Sequence, residues 1–211
     1  MNEPNNKKII AVIASIVIIV LIYYGTFLPL RKSQIFISTM RSLGETKTLE
    51  ELTTKIKVPL DYPSPYGQEE LVRQVASLVT NIVSQSNTTP PVIDELITFL
   101  NKYYNPIIDK GSGMSFNQNL YVLGSLNEVA FIRTNKVEYL MAAEKYFTES
   151  YELGPKRPQA LFGLFDVYRA KGDVQKVTEI SNQILEQWPT EERTRQAVKE
   201  FMDRVSAVQK N

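Results

Sequence analysis

The stretch "YELGPKRPQALFGLFDVYRAKGDVQKVTEISNQILEQWP", Tyr151 to Pro189, decides the fold. It holds two helix-ending signals, Leu153-Gly154-Pro155 and Gln187-Trp188-Pro189, set a period of 34 residues apart. Two apolar runs lie between them, split by Lys171-Gly172-Asp173. The pattern predicts a helical hairpin, which is either a plain chain end or one unit of a repeat that holds a partner. The second reading places function in binding rather than in chemistry.

Working outward, the rest of the chain beyond the N-terminal apolar run reads as helical throughout. Gln68 to Ser86 carries Leu71, Val72, Val75, Leu78, Val79, Ile82 and Val83 at three- and four-residue steps, the period of one buried helix face. Asn87-Thr88-Thr89 is a cap, and Pro90-Pro91 opens a helix with Ile93, Leu96, Ile97 and Leu100 on one face, ending near Tyr104-Asn105-Pro106. Further helices are predicted from Phe116 to about Arg133 and from Val137 to Leu153. Thr48 followed by Glu51 has the capping-box spacing and opens a short helix to Lys57. The prolines of "VPLDYPSPYG" predict an extended linker. No period-two strand is present, so the expected fold class is all-α.

Composition removes several kinds of chemistry. The 211 residues include no cysteine and no histidine, which excludes thiol nucleophiles, disulfides, Cys/His zinc sites and histidine-based triads. Formal net charge is +1, so there is no bulk basic footprint for nucleic acid. Gly111-Ser112-Gly113 lacks the Lys-Ser/Thr of a phosphate loop and reads as a turn between helices. The pairs Glu50-Glu51, Glu69-Glu70 and Glu191-Glu192 each fall in a first helical turn, where negative charge suits the helix dipole. Adjacent helical residues do not converge on one substrate. The expectation is therefore no enzyme, no catalytic residue, no metal and no cofactor.

"NNKKIIAVIASIVIIVLIYYGTFLPLRKS" sets the topology. Residues 9–30 carry no charge and match the length that a hydrocarbon core of roughly 30 Å asks of a helix. Tyr23, Tyr24 and Phe27 suit a headgroup zone, and Pro29 is placed to bend or end the span. A cleaved secretory signal is the competing reading, but it needs small residues where Tyr-Tyr-Gly-Thr-Phe-Leu-Pro stands. Lys7 and Lys8 on one side nearly balance Arg31, Lys32 and Arg41 on the other, so the charge rule selects neither orientation. The resulting division is an arm (1–8), a transmembrane helix (9–30), juxtamembrane helices with a Pro-rich linker (31–67), a helical domain (68–189) and a closing helix (190–211).

Numbered from Pro158, the quoted hairpin resembles the tetratricopeptide repeat. Leu161 and Leu164 supply the apolar positions 4 and 7, and Tyr168, Gly172 and Pro189 supply positions 11, 15 and 32. Phe165, Val177, Ser181 and Ile184 depart from the pattern at 8, 20, 24 and 27, where bulk is expected to widen the hairpin unless Ser181 compensates. The preceding unit ends in register with Ala143, Phe147, Ser150 and Pro155. Its first helix, with Leu120, Leu123, Gly124 and Asn127, lies about two turns upstream, so either that helix or the loop near Asn135-Lys136 is lengthened. Gln68 to Tyr104 is a candidate third, degenerate unit, and Val198, Phe201, Met202 and Val205 are the inner face of the closing helix.

The order of a membrane helix, "SPYGQEELVRQ", "NLYVLG" and "LGPKRPQ" is also similar to the C-terminal part of bacterial O-antigen ligase-like membrane proteins. That resemblance implies an extracytoplasmic soluble domain in a bacterial cell envelope, without the polytopic body in which glycan transfer resides.

What the repeat resemblance implies for function is a partner-binding groove. Positions 2, 5, 9 and 12 of the first helix are Gln159, Phe162, Asp166 and Arg169. Phe162 offers apolar contact, and Asp166 and Arg169 offer polar selectivity; the plainer reading is a solvated face with those two charges paired at i,i+3. Lys156 and Arg157 read as caps for the preceding helix. The expected function is a membrane-anchored adaptor with a protein partner. Two alternatives stay open: a non-catalytic accessory or detached portion of a cell-surface polysaccharide system, and a structural subunit that meets its neighbours through the membrane helix.

Overall fold

Residues 3–208 are described by the computed structural model, and every regular element among them is helical. The apolar run lies in a helix of 39 residues from Lys7 to Glu45. The continuous helical stretch that holds it runs through α1 (Glu3–Ile22), a π-helical turn (Tyr23–Phe27), α2 (Leu28–Ser42) and a closing 3-10 turn (Leu43–Glu45). Its apolar window is long enough to cross a membrane and none of it is buried. Ser15 returns its hydroxyl to the carbonyl of Ala11 at 2.9 Å, so the one serine in the run leaves no free donor.

Pro29 does not end this helix. A proline ring crowds the carbonyl four residues earlier and removes an amide donor. The widened π turn comes just before it, and such a turn lets a helix absorb an irregularity without breaking. The linker expectation is likewise corrected at its start. α3 (Leu49–Asp61) runs through Pro59 and beyond Lys57, with Ile56, Pro59 and Leu60 buried. Only Tyr62 to Gly67 is non-helical. The Thr48 cap forms, with its Oγ1 accepting from Glu51 N at 3.1 Å. Glu51 returns to the amide of Lys47 rather than Thr48, so the capping box is offset by one residue.

Two compact units can be described separately. The first comprises the described residues up to Val75 with Thr98–Pro106. Here α2 and α3 pack together. Lys32 is almost fully buried and donates from Nζ to the carbonyl of Tyr62 at 2.8 Å and to Gln68 Oε1. Tyr103 donates to Asp61 Oδ1 at 2.9 Å. The end of α3 and the loop after it are therefore held by side chains from two other helices.

The second unit comprises Ala76–Ile97 with the described residues from Ile107 onward. The division falls inside α4 (Gln68–Ser84) and α5 (Pro90–Lys110). α5 continues to Lys110 through Pro106 rather than stopping there. α6 (Phe116–Thr134), α7 (Val137–Glu152), α8 (Pro158–Lys171), α9 (Val174–Gln187) and α10 (Glu192–Val208) pack each on the next, and α6 also meets α8. The extra length expected near Asn135-Lys136 is in α6, because those two residues alone connect it to α7. Asn135 takes the left-handed conformation at φ 55° that closes α6, and Gly172 does the same for α8 at φ 72°.

The stack is centred on Phe147, which is fully buried. A Cβ added at Gly124 of α6, or at Gly163 of α8, would meet the same edge of its ring at 2.6 Å. Those glycines let three helices close around one aromatic side chain. Phe165, Val177 and Ile184, the bulky departures from the repeat pattern, are all buried in the same core as Leu161, Leu164 and Tyr168. Substituting Gly163→Ala should destabilise the protein by about 1–3 kcal/mol, the usual range for overpacking, measured by chemical unfolding. Unchanged stability would mean that the ring is not held as described.

Candidate functional site

α8 buries Leu161, Leu164, Phe165 and Tyr168 and leaves Gln159, Phe162, Asp166 and Arg169 at least partly accessible. Phe162, Asp166 and Arg169 share a stripe because steps of four and three residues keep a helical face. The structure brings these three together on a cleft of about 470 Å³, completed by Phe165 and by Glu191, Arg193, Thr194 and Ala197 from the start of α10 and the turn before it. Phe162 is backed by Trp188, with stacked rings 6.0 Å apart. Gln159 belongs elsewhere. It lines a separate cleft with Asn117, Gln118, Tyr121 and Arg157.

The polar pair is built as the sequence predicts. Arg169 donates to Asp166 Oδ1 at 2.9 Å across i,i+3. The guanidinium also lies 5.3 Å from the centre of the Phe165 ring, a cation–π distance. Its Nε is buried with no hydrogen-bond partner among the described residues. Arg169 is therefore held in place while keeping donor capacity.

Asp166 and Arg169 are also the wall of a second cleft, of about 410 Å³, on the other side of the stripe. Its remaining lining comes from Glu128, Phe131 and Ile132 of α6, Leu140 of α7, Val167 and Ala170 of α8, and Arg204 of α10. Glu128 makes no hydrogen bond or ion pair among the described residues. Burial, and secondly the Asp166 carboxylate, push its carboxyl up to about 7. Burial raises Asp166 as well, against the charge and hydrogen bond of Arg169. Two carboxyls and two arginines thus share a cleft with an apolar floor.

Glu128 and Arg204 were not legible as site residues. α6 is lengthened relative to the 34-residue unit, so its positions cannot be numbered from the hairpin that follows. α10 lies past the last repeat signal. Lys156 and Arg157 follow directly on the C-terminal end of α7, where the sequence expects them. The Arg157 side chain lies against Gly154, two residues past the last residue of α7.

The raised Glu128 carboxyl has a consequence for stability. The folded protein holds its proton to higher pH than the unfolded chain does, so stability should fall as pH rises from about 4.5 to about 7. Glu128→Gln removes that titration and should stabilise the protein at pH 8 by on the order of 2 kcal/mol relative to wild type, with little gain at pH 4. Urea midpoints at the two pH values check this; equal shifts at both would contradict it.

Comparison with protein-family models, with curated proteins and with solved structures returns no match to this chain.

Proposed function

We propose that the chain is a membrane-anchored adaptor whose soluble part is a short tetratricopeptide-like stack that binds a protein partner. One observation carries the reading. Phe162, Asp166 and Arg169 form one accessible stripe between two clefts, with α6, α8 and α10 all contributing lining. An aromatic anchor backed by Trp188 beside a pre-ordered Asp–Arg pair is the combination that gives an interface apolar contact and polar selection together. The stacking of α6 to α10, with α6 reaching α8 past its own hairpin partner, supports a repeat architecture in which first helices line a groove.

The exposed apolar helix supports the anchor. Fifteen large apolar residues of this run, from Ile9 to Leu30, are left uncovered and have no favourable place in water, and a bilayer removes that cost. In this reading residues 9–30 hold the protein in the membrane of a bacterial envelope with the helical stack on the extracytoplasmic side, and the groove is the working surface. The absence of histidine and cysteine leaves binding as the better-supported class.

The triple substitution Phe162→Ala, Asp166→Ala, Arg169→Ala should abolish the protein's crosslinks in native membranes. Replacing residues 9–30 by an unrelated apolar span should leave them in place. Mass spectrometry of the crosslinked species reads both. Survival of crosslinks in the triple variant, with their loss in the swapped span, would move the interface into the membrane and refute the groove.

A further inference from the structure

The first unit begins where the apolar run ends. Leu30 is the last residue of that run, and Lys32 lies two residues later on the same unbroken helix, about 3 Å further along its axis. Lys32 Nζ holds the carbonyl of Tyr62 at 2.8 Å and the Gln68 side chain, so it grips both ends of the loop from Tyr62 to Gly67. The loop is fixed at the level of Lys32 by these bonds, not by a flexible tether.

The same loop is stiff and presents an aromatic ring. Pro63 and Pro65 restrict its backbone. Ser64 Oγ donates to the carbonyl of Tyr66 at 2.8 Å and accepts from its amide at 3.3 Å, closing a small turn around the tyrosine. Tyr66 is 66% exposed, and Val58, in the last turns of α3, is 57% exposed. α3 returns toward the apolar run, since α2 and α3 are joined by a short turn and pack together. An exposed tyrosine at that level has an apolar ring for the acyl boundary and a hydroxyl for the headgroups.

We propose that the Tyr62–Gly67 loop is a second membrane contact, with Tyr66 seated in the headgroup zone of the bilayer that residues 9–30 cross. The occupant of this surface is lipid. The contact fixes how far the first unit stands from the membrane and stops it from swinging about the end of the anchor. The proposal rests on the membrane reading of residues 9–30, and the test separates the two.

The chain has a single tryptophan, Trp188, which permits depth measurement by fluorescence. In a Trp188→Phe background, Tyr66→Trp and Val17→Trp are each reconstituted as the full chain in phospholipid nanodiscs. Spin labels are carried either on the headgroup or deep on the acyl chain. The expected result is that Tyr66→Trp loses about half of its emission to the headgroup label, and that Val17→Trp responds to the acyl label, as interfacial and spanning positions should. An unquenched Tyr66→Trp, with Val17→Trp quenched, overturns the second contact and leaves the anchor standing. An unquenched Val17→Trp overturns both.

Discussion

The position of Phe147 is the constraint on which the accessible stripe of α8 depends. Its ring edge comes within 2.6 Å of where a side chain would start on α6 and on α8, and glycine at 124 and 163 is what lets those helices come so close. α7 is thereby locked beneath both. The accessible stripe of α8 then faces the clefts shared with α6 and α10 as a consequence of packing on the opposite side of the helix. An interior packed near crystal density transmits such a restriction directly, because there is no slack to absorb a methyl group.

The apolar helix is governed by the opposite condition. Its residues from Lys7 to Phe27 are all exposed among the described residues, so the stability of this part as a helix comes from internal hydrogen bonds and from whatever surrounds it. A bilayer demands that backbone groups be satisfied within the segment, which is the arrangement a helix provides, and the run is helical throughout. The π turn before Pro29 is informative here. It lets the helix carry on past a proline and enter the first unit as α2, where Leu28 and Lys32 become buried. The apolar run and the first packed residues are one element. In the proposed setting, the soluble part begins at the membrane surface.

The parts of the fold that were legible in the sequence are those carried by local periodicity and by capping chemistry. The apolar steps of α4, the cap at Thr48, the turn at Gly172 and the boundaries of α6 and α7 all have signals within a few residues. The misreadings occur at proline. Pro59 and Pro106 both lie inside helices, because neighbouring buried residues such as Leu60 and Ile107 supply packing that outweighs the lost amide bond. Within the site, the Asp166–Arg169 pair was readable since i,i+3 geometry is fixed by the helix itself. Glu128 was not, because its importance arises from meeting Asp166 across a cleft, and a single sequence carries no sign of that encounter. Gln159 was grouped with the stripe by repeat numbering, but its place about one turn before Phe162, at the start of α8, puts it in a different cleft.

The most direct test of the adaptor reading is site-specific photocrosslinking in native membranes. A benzoylphenylalanine at Phe162 is compared with one at Gln175, an exposed position on α9 away from the stripe. The account predicts a discrete adduct of defined mass from position 162 and none from position 175. Equal labelling from both positions, or labelling from position 175 alone, would contradict it.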